Sequence, residues 1–569
     1  MEQQNVNSMP DFKDLVYERP DIEAFRKTVR DIRLKLMTAT DPEFAADTLF
    51  EYEREISRID TAYALCNIKH DLNTKDEFFV KELEFFDEAL ATVSELQAAV
   101  LSILLTCPCK DALRERFGDM IFRKAQNHKD TISGEILDEL VEESTLENEY
   151  SQLQSEASIE FGRETLNLSL LTPYLESSDR KVRADASYAL DNYYMGRKET
   201  FDRIYDDMVR VRTQAARKLG YKNFTELGYK RMERYDYTRE DVEKFRENIV
   251  KYFVPLSVQI RKNQKERLGY EKLMFYDLPA LFRDGNPVPS VNRNNYNEAA
   301  GNFFRKMFGH DPSFFDVLSE HGFTDLLSRP AKSTGGYCMY LEDNAIPYIF
   351  MNGNGTADDV ATIVHEGGHA YAAIRSADSS PFVECQSPTL ETCEIHSTAM
   401  EYMSYPYMDI FYGRNADLYC QLHMTQGILF LPYGCMVDEF QHIVYDNPDM
   451  ETDDRHKAWR WLEEKYQPFI NYDDKLPFHA IGGAWQKKDH IFTTPFYYID
   501  YCLSQICALE LWIESTTDMK SALNKYNVLC CAGGNDTFLN LIKNAGIDSP
   551  FETDTIKKVA YSCSRFLEL

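Results

Sequence analysis

Two histidines four residues apart with a glutamate beside the first, His365-Glu366-Gly367-Gly368-His369, dictate local structure more tightly than anything else in this chain, because the trio makes chemical sense only on a helix. Four residues advance a helix by about 400°, so the two imidazoles differ by only about 40° around the axis and can meet at one metal through neutral ring nitrogens. Glu366 sits where a general base takes a proton from a metal-activated water, rather than where a third ligand would. The motif therefore predicts one catalytic Zn2+ ion held in part by His365 and His369.

The flanking residues agree with a strand, a turn and a helix. The aromatic and β-branched run 347–351 reads as a strand, and Asn352-Gly-Asn-Gly355 is turn chemistry. Thr356 then predicts a helix cap, with Thr356 and Asp359 spaced as in a capping box and Asp358 and Asp359 favoured by the helix dipole. Val360, Ile363, Val364, Ala370 and Ile374 supply an apolar stripe. Gly367 and Gly368 each cost about 1 kcal/mol relative to alanine in a helix interior, so they imply close approach of another backbone or of a substrate.

A catalytic zinc needs a third protein ligand while one position stays open for water. Downstream, Ser387-Pro-Thr-Leu-Glu-Thr-Cys-Glu-Ile-His-Ser-Thr-Ala-Met-Glu401 starts like a helix, with Ser387 as cap and Pro388 at the first helical position. Glu391, Glu394, His396 and Glu401 are the candidates there. Glu394 and Glu401, seven apart, share a face, whereas His396 lies about 200° round from Glu394. Spacing does not choose among Glu391, Glu394 and Glu401. Closer to the C-terminus, in His490-Ile-Phe-Thr-Thr-Pro-Phe-Tyr-Tyr-Ile-Asp-Tyr501, Thr494 predicts a cap and Pro495 the opening of a helix that carries Tyr498 and Tyr501 on one face. Gly482-Gly483 just upstream reads as a flexible loop or a simple turn.

The segment 347–370 and the segment Cys393-Glu-Ile-His-Ser-Thr-Ala-Met-Glu401 together resemble the thimet oligopeptidase family of zinc peptidases, most closely its bacterial oligoendopeptidase F branch. That family carries H-E-x-G-H followed by E-x-x-S-x-x-x-E, and its third ligand is the first glutamate, 25 positions after the second histidine; the resemblance puts that ligand at Glu394. Gly368 matches the family glycine, while Gly367 stands where a bulkier residue is usual. Glu401, one helical repeat beyond Glu394, then looks like an acid that orients a ligating histidine. The family also places a histidine and two tyrosines three apart opposite the zinc, as substrate and oxyanion ligands. His490, Tyr498 and Tyr501 match, with a spacing one residue different from the thimet branch. Tyr501 is the first choice for the oxyanion donor and Tyr498 the second.

The resemblance extends more loosely from about residue 200 onward, and the earlier part matches mainly in being helical. It implies a mostly α, two-lobed helical zinc metallopeptidase with a deep substrate channel and a small β-sheet beside the zinc helix. The implied activity is that of a zinc-dependent endopeptidase hydrolysing internal bonds of short, flexible oligopeptides. Two alternatives stand beside it: a zinc carboxypeptidase of related helical build, which would need a basic residue to anchor the terminal carboxylate, and a non-catalytic peptide-binding protein. Intact His365, Glu366, His369 and Glu394 speak against the latter.

The rest of the chain bounds this reading. Residues 81–105, 242–254 and the chain after Pro495 predict long helices, and strand signals are confined mainly to 335–351, where a small sheet could pair with an extended peptide. A soft boundary divides an N-terminal helical region, 1–198, from a catalytic region, 199–569, with lobes free to interleave. Thirteen scattered cysteines, among them Cys107-Pro-Cys109 and Cys530-Cys531, lack bridging or zinc-finger spacing and predict reduced thiols in a cytoplasmic protein. Residues 1–13 lack the pattern of a secretory leader, and no apolar stretch is long enough to span a membrane. A formal charge of −30 argues against nucleic acid as a partner. Nothing in the sequence fixes an oligomeric state.

Overall fold

Helix starts at the N-terminal end show how local chemistry sets the architecture. In the computed structural model, which describes residues 9–569, Asp21, Asp41 and Asp76 cap the helices Ile22–Thr38, Pro42–Leu72 and Glu77–Leu104. Their carboxylates accept the amides of Ala24 (2.9 Å), Glu43 (3.1 Å) and Phe78 (3.0 Å), donors with no partner inside the helix. Phe25, Val29, Ile32 and Leu36 recur at helical spacing and are buried where the three helices pack. The predicted helix at 81–105 falls on the third, which ends at Leu104.

The chain divides into two compact units, each drawn from separate stretches. The first comprises residues up to 130, 288–419 and 507–549; the second comprises 131–287, 420–506 and 550–569. Residue 198, the soft boundary read from the sequence, falls inside the second unit.

In the first unit a three-stranded sheet has Ile346–Gly353 at its centre, parallel to Thr324–Leu327 and antiparallel to Tyr337–Leu341. Ile349 pairs with Thr324 on one side and Cys338 on the other. The central strand is buried from Ile346 to Met351, which explains a continuous apolar run rather than alternation. Pro347, which lacks an amide hydrogen, sits beyond the paired stretch of the parallel neighbour and so removes no bond from that ladder. Strand Thr324–Leu327 lies outside the window read from the sequence, because four residues without alternation leave no periodic signal.

The second unit is built on helices such as Leu137–Ser155, Lys198–Lys218, Phe224–Arg231 and Arg239–Tyr252. The last of these ends one residue before Phe253, and a new helix, Val254–Leu268, begins with Pro255 in its first turn. A short hairpin, Ile159–Phe161 with Glu164–Leu166, is a further element that the sequence does not announce. Buried arginines tie this unit together: Arg212 pairs with Glu143 (2.5 Å) and Glu147 (3.1 Å), and Arg183 with Asp277 (3.1 Å). All thirteen cysteines are free. Among the described residues no helix is long and apolar enough to cross a membrane.

Candidate active site

The motif helix, Ala357–Ser376, follows directly from the central strand. Gly353 is the last residue of that strand, and a Cβ there would lie 2.7 Å from the Leu326 carbonyl oxygen, so only glycine fits the close approach. Thr356 occupies the cap position in extended conformation, but its side chain makes no capping bond. The buried Asp359 does that work from inside the helix, accepting the amides of Asn354 (2.9 Å) and Gly355 (2.6 Å) and the Tyr296 hydroxyl (2.9 Å). The expected capping box is thus replaced by a carboxylate that reaches past Thr356 to the turn before it; the Thr356 amide goes to Asn354 Oδ1 (3.0 Å).

The helix Leu390–Met403 packs against the motif helix, with Thr389 at its cap position, two residues later than Ser387 and Pro388 predicted. Ser387 is instead pressed against Gly534, where a Cβ would lie 2.2 Å from the Ser387 carbonyl oxygen, a remote contact that the local sequence does not reveal. Gly368 lies at a close approach of the two site helices. A Cβ there would meet the His396 carbonyl oxygen at 2.6 Å and Ser397 Cα at 2.9 Å, so the expected approach of another backbone is met. At Gly367 the Phe304 ring fills the space, 2.3 Å from where a Cβ would stand. A bulkier residue at 367 has no room here.

This packing brings one ligand atom from each of His365, His369 and Glu394 within 4.8 Å of the others. The His365 and His369 rings are 4.9 Å apart, and His365 Nε2 is 3.6 Å from Glu394 Oε2. Glu401 takes the opposite edge of His365: Nδ1 donates to its carboxylate at 2.7 Å, which leaves Nε2 bare on the side of Glu394. Ser397 Oγ donates to Glu394 Oε2 at 3.2 Å. Two imidazole nitrogens and one carboxylate oxygen, with one imidazole oriented by a second carboxylate, fit a zinc site that keeps a position open. Glu391 and His396 lie outside this group. The His396 carbonyl accepts the Tyr526 hydroxyl at 2.8 Å on the far side.

Glu366 is buried beside the group, and the backbone of Cys338 in the neighbouring strand slightly favours its charged form. Burial pushes its pKa up to about 7, against the pull of His365. Desolvation opposes protonation of His365, but Glu401, Glu366 and Glu394 outweigh it and hold that ring up at about 9; desolvation and then the neighbouring His365 push the half-buried His369 well down. The sequence marks Glu366 by its place in the motif, but the Cys338 backbone carries no sequence signal.

His490, Tyr498 and Tyr501 gather in the second unit. The His490 ring centroid is 4.9 Å from Tyr498 and 5.9 Å from Tyr501, and the two phenol rings are 5.6 Å apart. Tyr498 is buried, and burial raises its pKa, so its phenol stays protonated as a donor. Burial and then Lys488 lower His490 to about 4. Lys488, which sequence reasoning passed over, stands 4.1 Å over the Tyr498 ring. The tyrosine helix is Tyr498–Ser515, so Thr494 does not cap it and Pro495 does not open it. Phe496 intervenes in a left-handed conformation, φ 70°, and breaks the helical path. Gly482 and Gly483 are packed, buried turn residues: a Cβ on Gly482 would lie 2.1 Å from the His456 carbonyl oxygen.

Comparison with known proteins points the same way. A family model described as Peptidase family M3 matches residues 173–561, and one described as Peptidase M3 N-terminal domain matches 12–132. The chain is 21% identical over 605 aligned residues to oligopeptidase PepF of Bacillus subtilis (strain 168), covering 96% of this chain and 86% of that one. Group B oligopeptidase PepB of Streptococcus agalactiae serotype III (strain NEM316) is 23% identical over 393 residues, 66% of this chain and 61% of the relative. The solved structure of PZ peptidase A with inhibitor 2 superposes with a TM-score of 0.91 at 38% identity, covering 98% of this chain and 99% of that one. A match over more than half the chain, together with near-complete structural overlap, bears out the resemblance read from the motifs: the chain belongs to peptidase family M3.

Proposed function

We propose that this peptidase is a zinc-dependent endopeptidase that hydrolyses internal bonds of short, flexible peptides in the cytoplasm. The observation that carries the reading is the convergence of His365, His369 and Glu394, with Glu401 on the far edge of His365 and Glu366 alongside. Peptidases of family M3 are zinc-dependent in general, and relatives of this chain are named oligopeptidases. The thirteen free thiols favour a reducing compartment.

In this reading His365, His369 and Glu394 hold the ion, and Glu401 fixes the ring and proton of His365. Zinc supplies a Lewis acid that polarises the scissile carbonyl and makes water acidic enough to react near neutral pH. Glu366 takes the proton from the attacking water and passes it to the leaving amine. Tyr501 donates a hydrogen bond to the oxyanion, with Tyr498 as the second donor and His490 as a substrate contact.

The test combines metal analysis with digestion of a mixed peptide pool read by mass spectrometry. One zinc per chain, internal cleavage of short peptides and intact folded proteins are the expected results. A metal-free active enzyme, or products trimmed one residue at a time from the C-terminus, would overturn the reading.

A further inference from the structure

The segment that delivers Tyr498 and Tyr501 is held in an unfavourable backbone conformation by buried groups remote in sequence. Phe496, two residues before the tyrosine helix, has φ 70°, a region in which a bulky side chain persists only where its surroundings hold it. Here both of its peptide groups are clamped by side chains. Gln441 Oε1 accepts its amide at 2.8 Å, and Arg234 Nη2 donates to its carbonyl at 2.5 Å. The same Nη2 donates to Asp500 Oδ1 at 3.0 Å, and both charged side chains are fully buried. The guanidinium lies over the Tyr229 ring at 4.2 Å. The Phe496 ring occupies a place where Gly228 leaves no Cβ, which would otherwise stand 2.6 Å from it.

Phe496 and Asp500 bracket Tyr498, and Asp500 immediately precedes Tyr501. A buried ion pair is often no more stabilising than an apolar pair of the same volume, so stability alone is a weak reason for one here. Its geometry accounts for more: one cation fixes the corner before the helix and a residue of its first turn, and thereby the direction of two phenols. We infer that Arg234 is a positioning residue for catalysis, which through Phe496 and Asp500 fixes the direction of the Tyr501 phenol. The inference rests on the proposed role of Tyr501.

The test is a double-mutant cycle on the zinc-loaded full-length enzyme with one defined peptide, using Arg234→Lys and Tyr501→Phe. Lysine keeps the charge but has a shorter reach and no plane to stack on Tyr229. Arg234→Lys is expected to lower kcat roughly 10- to 100-fold with KM and zinc content unchanged, the scale of a misplaced catalytic group. In that background Tyr501→Phe should cost much less than in the parent. Equal losses from Tyr501→Phe in both backgrounds, or a lowered Tm with kcat unchanged, would overturn the inference and leave the role of Tyr501 standing. A silent Tyr501→Phe in the parent would overturn that role and the inference with it. Should Arg234→Lys not fold, Gln441→Met, which releases the amide side of the same corner, is read by the same two outcomes.

Discussion

Glu366 is buried beside the Cys338 backbone, close to ligands that a conservative change would leave in place. We expect Glu366→Gln to bind zinc normally and to lose about 10² to 10⁴ in kcat, since glutamine keeps the size and removes the base. Turnover near that of the parent would remove Glu366 from the mechanism. Glu394→Ala should lose zinc far more readily than Glu391→Ala, because Glu391 lies outside the group of converging donors. Glu401→Ala should fall between them, with roughly 10- to 100-fold weaker binding, as expected when a histidine loses the carboxylate that orients it. Chelator competition followed by metal analysis ranks the three, and a zinc-free Glu391→Ala would show the wrong glutamate had been chosen. Tyr501→Phe should lower kcat by about 10² to 10³ with little change in KM, the scale for one oxyanion donor, while Tyr498→Phe loses less. The reverse order in kcat would exchange the two roles.

At the scale of elements, the seam between the motif helix and Leu390–Met403 depends on the absence of a side chain at Gly368. Gly368→Ala sets a methyl against backbone atoms that cannot swing aside, and overpacking of this kind costs about 1–3 kcal/mol. Both Tm and zinc affinity should drop, and by more than for Gly367→Ala, where the obstacle is the edge of the Phe304 ring. A Gly368→Ala protein with unchanged zinc affinity would mean that this seam does not set the ligand geometry. The motif helix, the carboxylate helix and the central strand were legible in the sequence because each is governed by its own periodicity or spacing. The contacts that fix their starts were not. Thr356, Ser387 and Pro495 all look like helix openers; Thr356 does hold the cap position, though without a capping bond, whereas the helices expected to open at Ser387 and Pro495 begin later. Asp359 took over the turn before the motif helix, Gly534 pressed on Ser387, and Arg234 held the Phe496 carbonyl. Capping preference is worth about 1 kcal/mol, so such tertiary contacts readily override it. The four-residue strand Thr324–Leu327 was invisible for a different reason: it is too short to show a period.

Across the molecule as a whole, several buried acids make stability depend on pH. Burial, reinforced by Glu384, raises the pKa of Glu53 well above its ordinary 4.5, and burial with Glu384 raises Asp60 from 3.8 to about 7. A carboxyl of this kind keeps in the folded state a proton that the unfolded chain has already released, so stability falls as pH climbs above the unfolded value. Glu53→Gln, whose amide oxygen can still accept the Val383 amide bonded to Glu53 at 3.0 Å, should match the parent Tm near pH 4 and exceed it near pH 8, as this linkage requires. Parallel Tm curves would show that Glu53 does not carry the effect. The first unit has a different kind of dependence, on time. Its first stretch ends near residue 130, yet the helix Met519–Ala532, whose Tyr526 donates to the His396 carbonyl and whose Asn527 accepts from Tyr371, comes from the third of its three stretches. At about 5–20 residues per second, a ribosome needs roughly 20–90 s between delivering the first part and the last. Once made, Glu394 and the two histidines wait a further stretch of about 125 residues, roughly 6–25 s at that rate, for the helix that backs them, so the metal site is among the last features a nascent chain can complete. A fragment ending before Met519 would contain every ligand in its sequence and lack that support.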